Sequence, residues 1–528
     1  MFSWDFPYPS QRMPVLAKNV VATSQPLAAQ AGLAMLARGG NAVDAGLAAA
    51  ITLTVVEPTS NGIGSDAFAI LWDGQRLVGL NGSGRSPEGW TPERFAGQGA
   101  MPVDGWDSVT VPGCVSVWIA LSKRYGKLPF EVLFEAAIRY ARESFMVSPI
   151  TAISWARQAP KFKGFSEFCW TFLPKDRAPY PGERFYCPQQ AETLEDIAAT
   201  KGESFYRGPI AERIALASRS DDGAMTVEDL AAHRCDWVDP ISVEYRGYEL
   251  HEIPPNGQGI AALVALGILR HHDMASLPVD SADSLHVQVE AMKLAFADLY
   301  AQVSDPATMR VTPAQMLDAG YLERRARMID MKRAQHPATG FEAPGGGTVY
   351  LTAADERGMM LSFIQSNYMG FGSGVVVPGT GVSLQNRGHG FSLKAGHPNV
   401  VGPRKRPFQT IIPGFLTRNG QPVMSFGVMG GAMQAQGHTQ MVVRLVDYNQ
   451  NPQACSDGAR WHVNPDFSVS VEDQVPASVK EELVRRGHRV VPSDRPMFGF
   501  GGAQLIHKLD DGYCAASDHR KDGCAIGF

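Results

Sequence analysis

A threonine that follows a run of glycines can become a nucleophile of a particular kind. In this 528-residue chain the sequence Ala343-Pro-Gly-Gly-Gly347 leads directly into Thr348. Glycines let the backbone adopt the strained conformation in which a hydroxyl attacks the carbonyl carbon just before it. Acyl transfer from nitrogen to oxygen, followed by hydrolysis, would free Thr348 as a new N-terminus. Its α-amine, with an ordinary pKa near ~8, would suit the role of base for the adjacent hydroxyl. One residue then supplies nucleophile and base together. Taken alone, a threonine after glycines is more often a turn or strand-edge residue, so its surroundings must decide. The second candidate is Gly430-Gly431, between a strand-like run and a helical one. Alone it reads as a close-packed turn. In a site, two consecutive N–H groups at a helix start can hold a developing oxyanion, because the helix dipole adds favourable potential there.

Regular elements must hold these groups in place. Lys332 to Gly347 is polar and loop-like, and directly after it Thr348–Ala353 and Met360–Gln365 read as strands joined by an Asp355-Glu-Arg-Gly358 turn. Thr410–Thr417 and Val423–Val428 are expected as strands, followed by a helix from about Met433 to Asp447. Near the N-terminus, Pro26–Leu36 has helical spacing and stops at Gly39-Gly40. Asn41 can cap a second helix from Ala42 to about Thr54, apolar nearly all round and therefore buried. Ala67–Trp72, an Asp73-Gly74 turn and Arg76–Leu80 make a β-hairpin. Val115–Val238 is mostly helical in pattern, Val243–His251 alternates like one strand, and Gly259–Leu269 and Ala282–Val303 read as helices.

Composition narrows the function classes. With 48 Lys+Arg against 53 Asp+Glu there is no basic footprint for nucleic acid or an anionic membrane. The seven cysteines are scattered without C-x-x-C spacing, as expected for reduced thiols of a cytoplasmic protein. The N-terminus lacks a basic region followed by an apolar one, so no secretory signal is expected. The longest apolar stretch, Ala42 to Val56, contains Asp44 and is too short to span a bilayer. There is no H-E-x-x-H, and Gly370-Phe-Gly-Ser-Gly374 lacks the spacing of a phosphate or dinucleotide loop. No metal and no cofactor are expected.

Several motifs fall in one order and spacing: Leu36-Ala-Arg-Gly-Gly-Asn-Ala-Val-Asp-Ala45, Val55-Val-Glu-Pro58, Gly345-Gly-Gly-Thr348, Phe371-Gly-Ser-Gly374, Pro398-Asn-Val, Gly402-Pro-Arg-Lys-Arg-Pro407 and Gly430-Gly431. On these the chain resembles the γ-glutamyltransferase family of N-terminal nucleophile hydrolases along essentially its whole length. The resemblance implies an α/β fold, a four-layer αββα sandwich, and a proenzyme cut between Gly347 and Thr348. A large chain, residues 1–347, and a small chain, residues 348–528, would form one compact catalytic unit, and a dimer of such pairs is left open. The same resemblance places the catalytic threonine at Thr348, its hydrogen-bonding hydroxyl at Ser366 and the oxyanion hole at Gly430 and Gly431. Gln409 and Thr410 stand where two serines steady the substrate carboxylate.

Departures from the family pattern concern the substrate. Thr348-Val-Tyr350 replaces the usual Thr-Thr-His. Arg387 and Gly390 occupy the places of the glutamine and aspartate that grip an α-ammonium, and Tyr368 that of a helping asparagine. A cation where an ammonium should sit repels it. Ser83 falls in the place of the carboxylate-binding arginine, and Arg85, two positions on, offers a guanidinium capable of bidentate binding. The stretch from Phe391 to Pro407 is too short for the lid of many relatives. These features resemble the oxamate amidohydrolase-like branch and imply a small anionic amide as substrate, with oxamate giving oxalate and ammonia through an oxalyl ester on Thr348. The alternatives are a γ-glutamyl hydrolase or transferase acting on glutathione-like substrates, and a glutaryl-type acylase. A non-catalytic binding protein is the reading from another class, and Thr348, Gly430 and Gly431 occurring together argue against it.

Overall fold

The computed structural model describes residues 11–336, 347–493 and 498–528. Gly345 and Gly346, in the run before Thr348, lie outside the described residues.

Helix α1 (Pro26–Ala37) starts on Gln25, whose side chain accepts from the N–H groups of Leu27 and Ala28. Helix α2 (Ala42–Val56) starts on a reciprocal pair, with Asn41 capping the Asp44 N–H and Asp44 capping that of Asn41. Every residue of α2 is buried. Gly46 explains how closely it lies on its sheet: a Cβ there would come 2.4 Å from Leu361 Cδ2. Farther along come α3 (Pro149–Gln158), α4 (Gly259–Leu269), α5 (Ala282–Gln302) and α6 (Met433–Val446).

Fourteen strands build two large sheets. Before the expected cleavage point lie β1 (Val15–Ala17), β2 (Val20–Thr23), β3 (Asp66–Trp72), β4 (Leu77–Asn81), β5 (Asp236–Val238), β6 (Ile241–Tyr245) and β7 (Tyr248–Glu252). Then follow β8 (Gly347–Ala354), β9 (Met360–Tyr368), β10 (Gly414–Arg418), β11 (Gln421–Met429), β12 (Gly502–Leu509), β13 (Gly512–Ser517) and β14 (Cys524–Gly527). One sheet runs β14-β2-β8-β9-β3-β4-β5 and the other β1-β13-β12-β11-β10-β7-β6. Every pairing within them is antiparallel.

The alternation of β8 shows how the layers stack. Val349, Leu351 and Ala353 join the core shared with α2, while Tyr350 and Ala354 join a second core containing Phe415 and Ile506 of the other sheet. A third core packs α4, α5 and α6 on the outer face of that sheet. The result is helix, sheet, sheet, helix, the four-layer sandwich expected above.

Two local expectations change. Val243–His251 is part of a hairpin rather than one strand, because Arg246 and Gly247 both take positive φ (51° and 81°) and turn the chain. Thr410–Pro413 does not join a strand. The Ile412 N–H donates instead to Gln434 Oε1 and the Thr410 carbonyl accepts from Gln258.

Candidate active site

Strand β8 opens with an irregularity. Its register against β9 shifts between Gly347 and Val349, so Thr348 occupies the bulge, where side chains are re-aimed. Opposite it, Tyr368 holds φ at 77°, unusual for a bulky residue. The Thr348 hydroxyl donates to Ser366 Oγ at 3.1 Å, and Ser366 Oγ donates to the Gly347 carbonyl at 2.8 Å. The Tyr368 N–H donates to the same Ser366 oxygen at 2.7 Å, fixing the serine rotamer. A longer bond of 3.5 Å reaches Thr348 Oγ1 from Gln434 Nε2, in the first turn of α6. The hydroxyl and the carbonyl of the peptide it would attack are thus coordinated through one serine.

Gly430 and Gly431 join β11 to the start of α6 with φ of 126° and 64°, a conformation that side chains disfavour. Gly430 lines a cleft of about 260 Å³ together with Gly347 and Thr348. The Gly431 carbonyl accepts from Gln258 Nε2 at 2.8 Å. Gln258 also donates to the Thr410 carbonyl, tying the glycine turn to the residues beyond it.

Those residues surround a buried cation. Arg387, in a 3-10 turn (Arg387–Gly390), is fully buried and donates from Nη1 to Thr410 Oγ1 at 2.8 Å. Its guanidinium lies 4.5 Å from the centroid of the Tyr368 ring. Arg387 Nε and Nη2, the Tyr368 hydroxyl and Gln409 Oε1 have no hydrogen-bond partner among the described residues. Burial pushes the guanidinium down to about 10, with Asp66 and Tyr368 acting against the fall. It remains charged at neutral pH.

Asp66 supplies the compensating charge and is itself saturated. Its Oδ1 accepts from the Gly84 and Gly113 N–H groups at 3.2 and 3.1 Å, and its Oδ2 from Gln409 Nε2 at 2.6 Å. Burial raises its carboxyl to about 6, opposed by Arg387 and these hydrogen bonds. Asp66, Gln258 and Gln434 were not singled out in the sequence. Each acts on a partner far away in the chain, and no local spacing marks them.

The remaining candidates are placed as follows. Gly390 has no room for an acidic side chain, since a Cβ would come 2.8 Å from the Phe408 carbonyl oxygen. Arg85 is brought together with none of the others. It is exposed, and its guanidinium reaches Asp305 at 3.4 Å and the Arg404 carbonyl at 3.3 Å. Ser83 is buried against Asn81 and Asn256.

Among the described residues, His286, Glu290 and His488 are the one group with metal-ligand types within reach of each other. Their hydrogen bonds account for them without an ion. Lys293 Nζ donates to Glu290 Oε1 and His488 Nδ1 at 2.9 and 3.1 Å, His488 Nε2 meets His286 Nδ1 at 2.7 Å, and His286 Nε2 donates to the Asp330 carbonyl at 2.8 Å. The ammonium makes the place repulsive to a further cation. Glu290 and Lys293 also hold the Gln335 N–H and carbonyl, at 2.8 and 3.1 Å.

Known proteins resemble the chain over its whole length. The family model described as gamma-glutamyltranspeptidase matches residues 28–528. A glutathione hydrolase-like YwrD proenzyme of Bacillus subtilis is 35% identical, with 97% of this chain and 98% of the relative covered. An oxamate amidohydrolase proenzyme of Klebsiella pneumoniae is 34% identical, with 95% and 97% covered. The crystal structure of a cephalosporin acylase from Bacillus halodurans superposes with a TM-score of 0.95 at 47% identity, covering 100% of this chain and 99% of the other.

Proposed function

Because this chain belongs to the gamma-glutamyltranspeptidase family of autoprocessing N-terminal nucleophile enzymes, we propose that Thr348 is its nucleophile and that it hydrolyses amides of short anionic acyl groups, with oxamate the simplest. The observation that carries the substrate is Arg387, a buried guanidinium with Nε and Nη2 unpaired beside an unpaired Tyr368 hydroxyl. Buried donors without partners are costly unless a ligand supplies the acceptors. A carboxylate does so, and it can take two parallel N–H bonds. Asp66, the carboxylate acting on Arg387, does not stand ready for a substrate ammonium, since both its oxygens are engaged.

The precursor is cut first. Ser366 polarises the Gly347 carbonyl and Thr348 Oγ bonds to its carbon; the hydroxyl proton passes to the peptide nitrogen, and the C–N bond breaks to leave an ester and a free amine. Water hydrolyses that ester, leaving the Gly347 carboxylate and a free Thr348 amine. In turnover the amine accepts the Thr348 hydroxyl proton while Oγ attacks the substrate amide carbon. Charge on the carbonyl oxygen falls to the N–H groups of the Gly430-Gly431 turn. Collapse expels the amine half of the substrate, which takes the proton back, and water then hydrolyses the acyl ester. Residues 1–347 and 348–528 are the two chains this would produce.

Thr348→Ala should remain one chain of 57.1 kDa on a denaturing gel and hydrolyse nothing. Processed wild type should release ammonia from oxamate and leave γ-glutamyl-p-nitroanilide nearly untouched. Efficient cleavage of the γ-glutamyl anilide with oxamate unchanged would overturn the substrate reading. A second reading, a glutaryl-type acylase, is favoured by the 47% identity to the cephalosporin acylase structure. A glutaryl amide in the same panel separates the two.

A further inference from the structure

The cleft on Thr348 is larger than oxamate requires. Its volume of about 260 Å³ is many times the roughly 10–15 Å³ that one water molecule needs, whereas the leaving group of oxamate is only ammonia. Arg387 is not part of its wall. The guanidinium is fully buried, whereas Gly347, Thr348 and Gly430 line the cleft. An acyl group that reaches Arg387 must therefore leave its amine half in the cleft.

The wall of that cleft carries one sign of charge. Arg157, Lys161 and Lys521 line it, with no carboxylate among the described lining residues. Lys161 is already paired with Asp104 at 2.7 Å. Arg157 and Lys521 form no ion pair with a described carboxylate, and they flank Phe498 at 5.3 and 5.2 Å from its ring centroid. Glu57, Asp518 and Asp522 act on Lys521, and none of them lines the cleft. The arrangement is held by contacts between distant parts of the chain. Asp522, next to Lys521, accepts from the Ile150 and Thr151 N–H groups and the Thr151 hydroxyl, each at 2.9 Å, at the start of the helix that carries Arg157.

We propose that the amine half of the natural substrate carries a negative charge read by Arg157 and Lys521 beside Phe498, so that the enzyme cleaves amides with an anion on each side of the scissile bond. This rests on the reading of Thr348 as nucleophile and Arg387 as the acyl-anion ligand. Water adds across the C–N bond, and the products are a short dicarboxylate and an amine that itself bears a carboxylate, such as an amino acid or an aminobenzoate. Phe498 supplies an apolar face for the carbon frame of that amine.

The test compares oxanilate with its 4-carboxy derivative on fully processed enzyme, which share the acyl group and differ in one charge. The carboxylated anilide should have kcat/KM about tenfold higher, mainly through KM, and the advantage should shrink as salt is raised. Arg157→Gln and Lys521→Gln should each bring the ratio toward one, and Lys521→Glu should invert it. Processing on a denaturing gel shows that each variant has folded, and Arg213→Gln, an exposed arginine elsewhere, should leave the ratio unchanged. A wild-type ratio near one, or a ratio indifferent to Arg157 and Lys521, overturns the inference. The matching pair of glutaryl anilides is run in parallel. If only that pair is cleaved, the oxalyl reading fails and the ratio on the glutaryl pair still decides the charge of the amine half.

Discussion

At the scale of single residues, the proposed nucleophile and its neighbours are legible in the sequence and their counter-charges are not. Thr348, Ser366 and the Gly430-Gly431 turn come together as the motifs imply. Ser366 bonds both the Thr348 hydroxyl and the Gly347 carbonyl, so under the proposed mechanism Ser366→Ala should slow processing by roughly 10²-fold, followed as loss of the precursor band over time. Arg387 was legible as an unusual cation, but its burial and free nitrogens depend on packing that no local pattern encodes. Charge-assisted hydrogen bonds contribute about 1.5–3 kcal/mol each, so Arg387→Met should lower kcat/KM for oxamate by about 10²-fold. Asp66 was missed because its partner Gln409 is 343 positions away. With its carboxyl raised to about 6, protonation below that pH removes the charge facing Gln409 and Arg387. The acid limb of kcat/KM should therefore fall near pH 6, and Asp66→Asn should flatten it. Asn at that place also tests whether the role is only structural, because a packing defect would lower activity without moving the limb.

At the scale of elements, patterning revealed what is buried on one face and missed what bends. The nearly all-apolar α2 and the hairpin of β3 and β4 lie where the sequence places them. The turn at Arg246-Gly247 was overlooked because alternation runs straight through it. The seating of β8 is set between sheets: Gly427 of β11 leaves room for Tyr350, and a Cβ there would come 2.4 Å from the ring. Tyr350 in turn meets Ser362 Oγ at 2.7 Å, and Thr352 meets Ser425 across the sheets at 2.6 Å. Gly427→Val should cost about 1–3 kcal/mol through overpacking, and it should slow processing as well, because displacement of Tyr350 moves the strand that carries Thr348. A melting curve and a processing time course read the two effects separately.

At the scale of the whole molecule, the strands before and after Gly347 are interleaved. In one sheet β2 lies between β14 and β8 and β9 pairs with β3, and in the other β1 pairs with β13 and β7 with β10. The two chains should therefore elute together after processing and separate only in denaturant. Stability should also depend on pH through Glu57, whose burial raises its carboxyl to about 7. A carboxyl raised in the folded state stabilises fully below its unfolded value, and that contribution is lost as pH rises toward 7. Melting temperature should fall between pH 5 and 8, at no more than about 1.4 kcal/mol per pH unit for this group, and Glu57→Gln should remove that part of the slope. Asp518, held low between Arg460 and Arg520, acts in the opposite sense and loses its contribution only in acid. The interleaving also changes what unfolding means. While the 347–348 bond is intact, the chain folds as a unimolecular process, at a rate that does not depend on dilution. Cut there, as proposed, it would need two separate molecules to meet before either sheet could be recovered, each with unpaired strand edges. The mature enzyme would then persist by the height of its unfolding barrier rather than by reversible equilibrium, and each molecule would have a single opportunity to fold correctly.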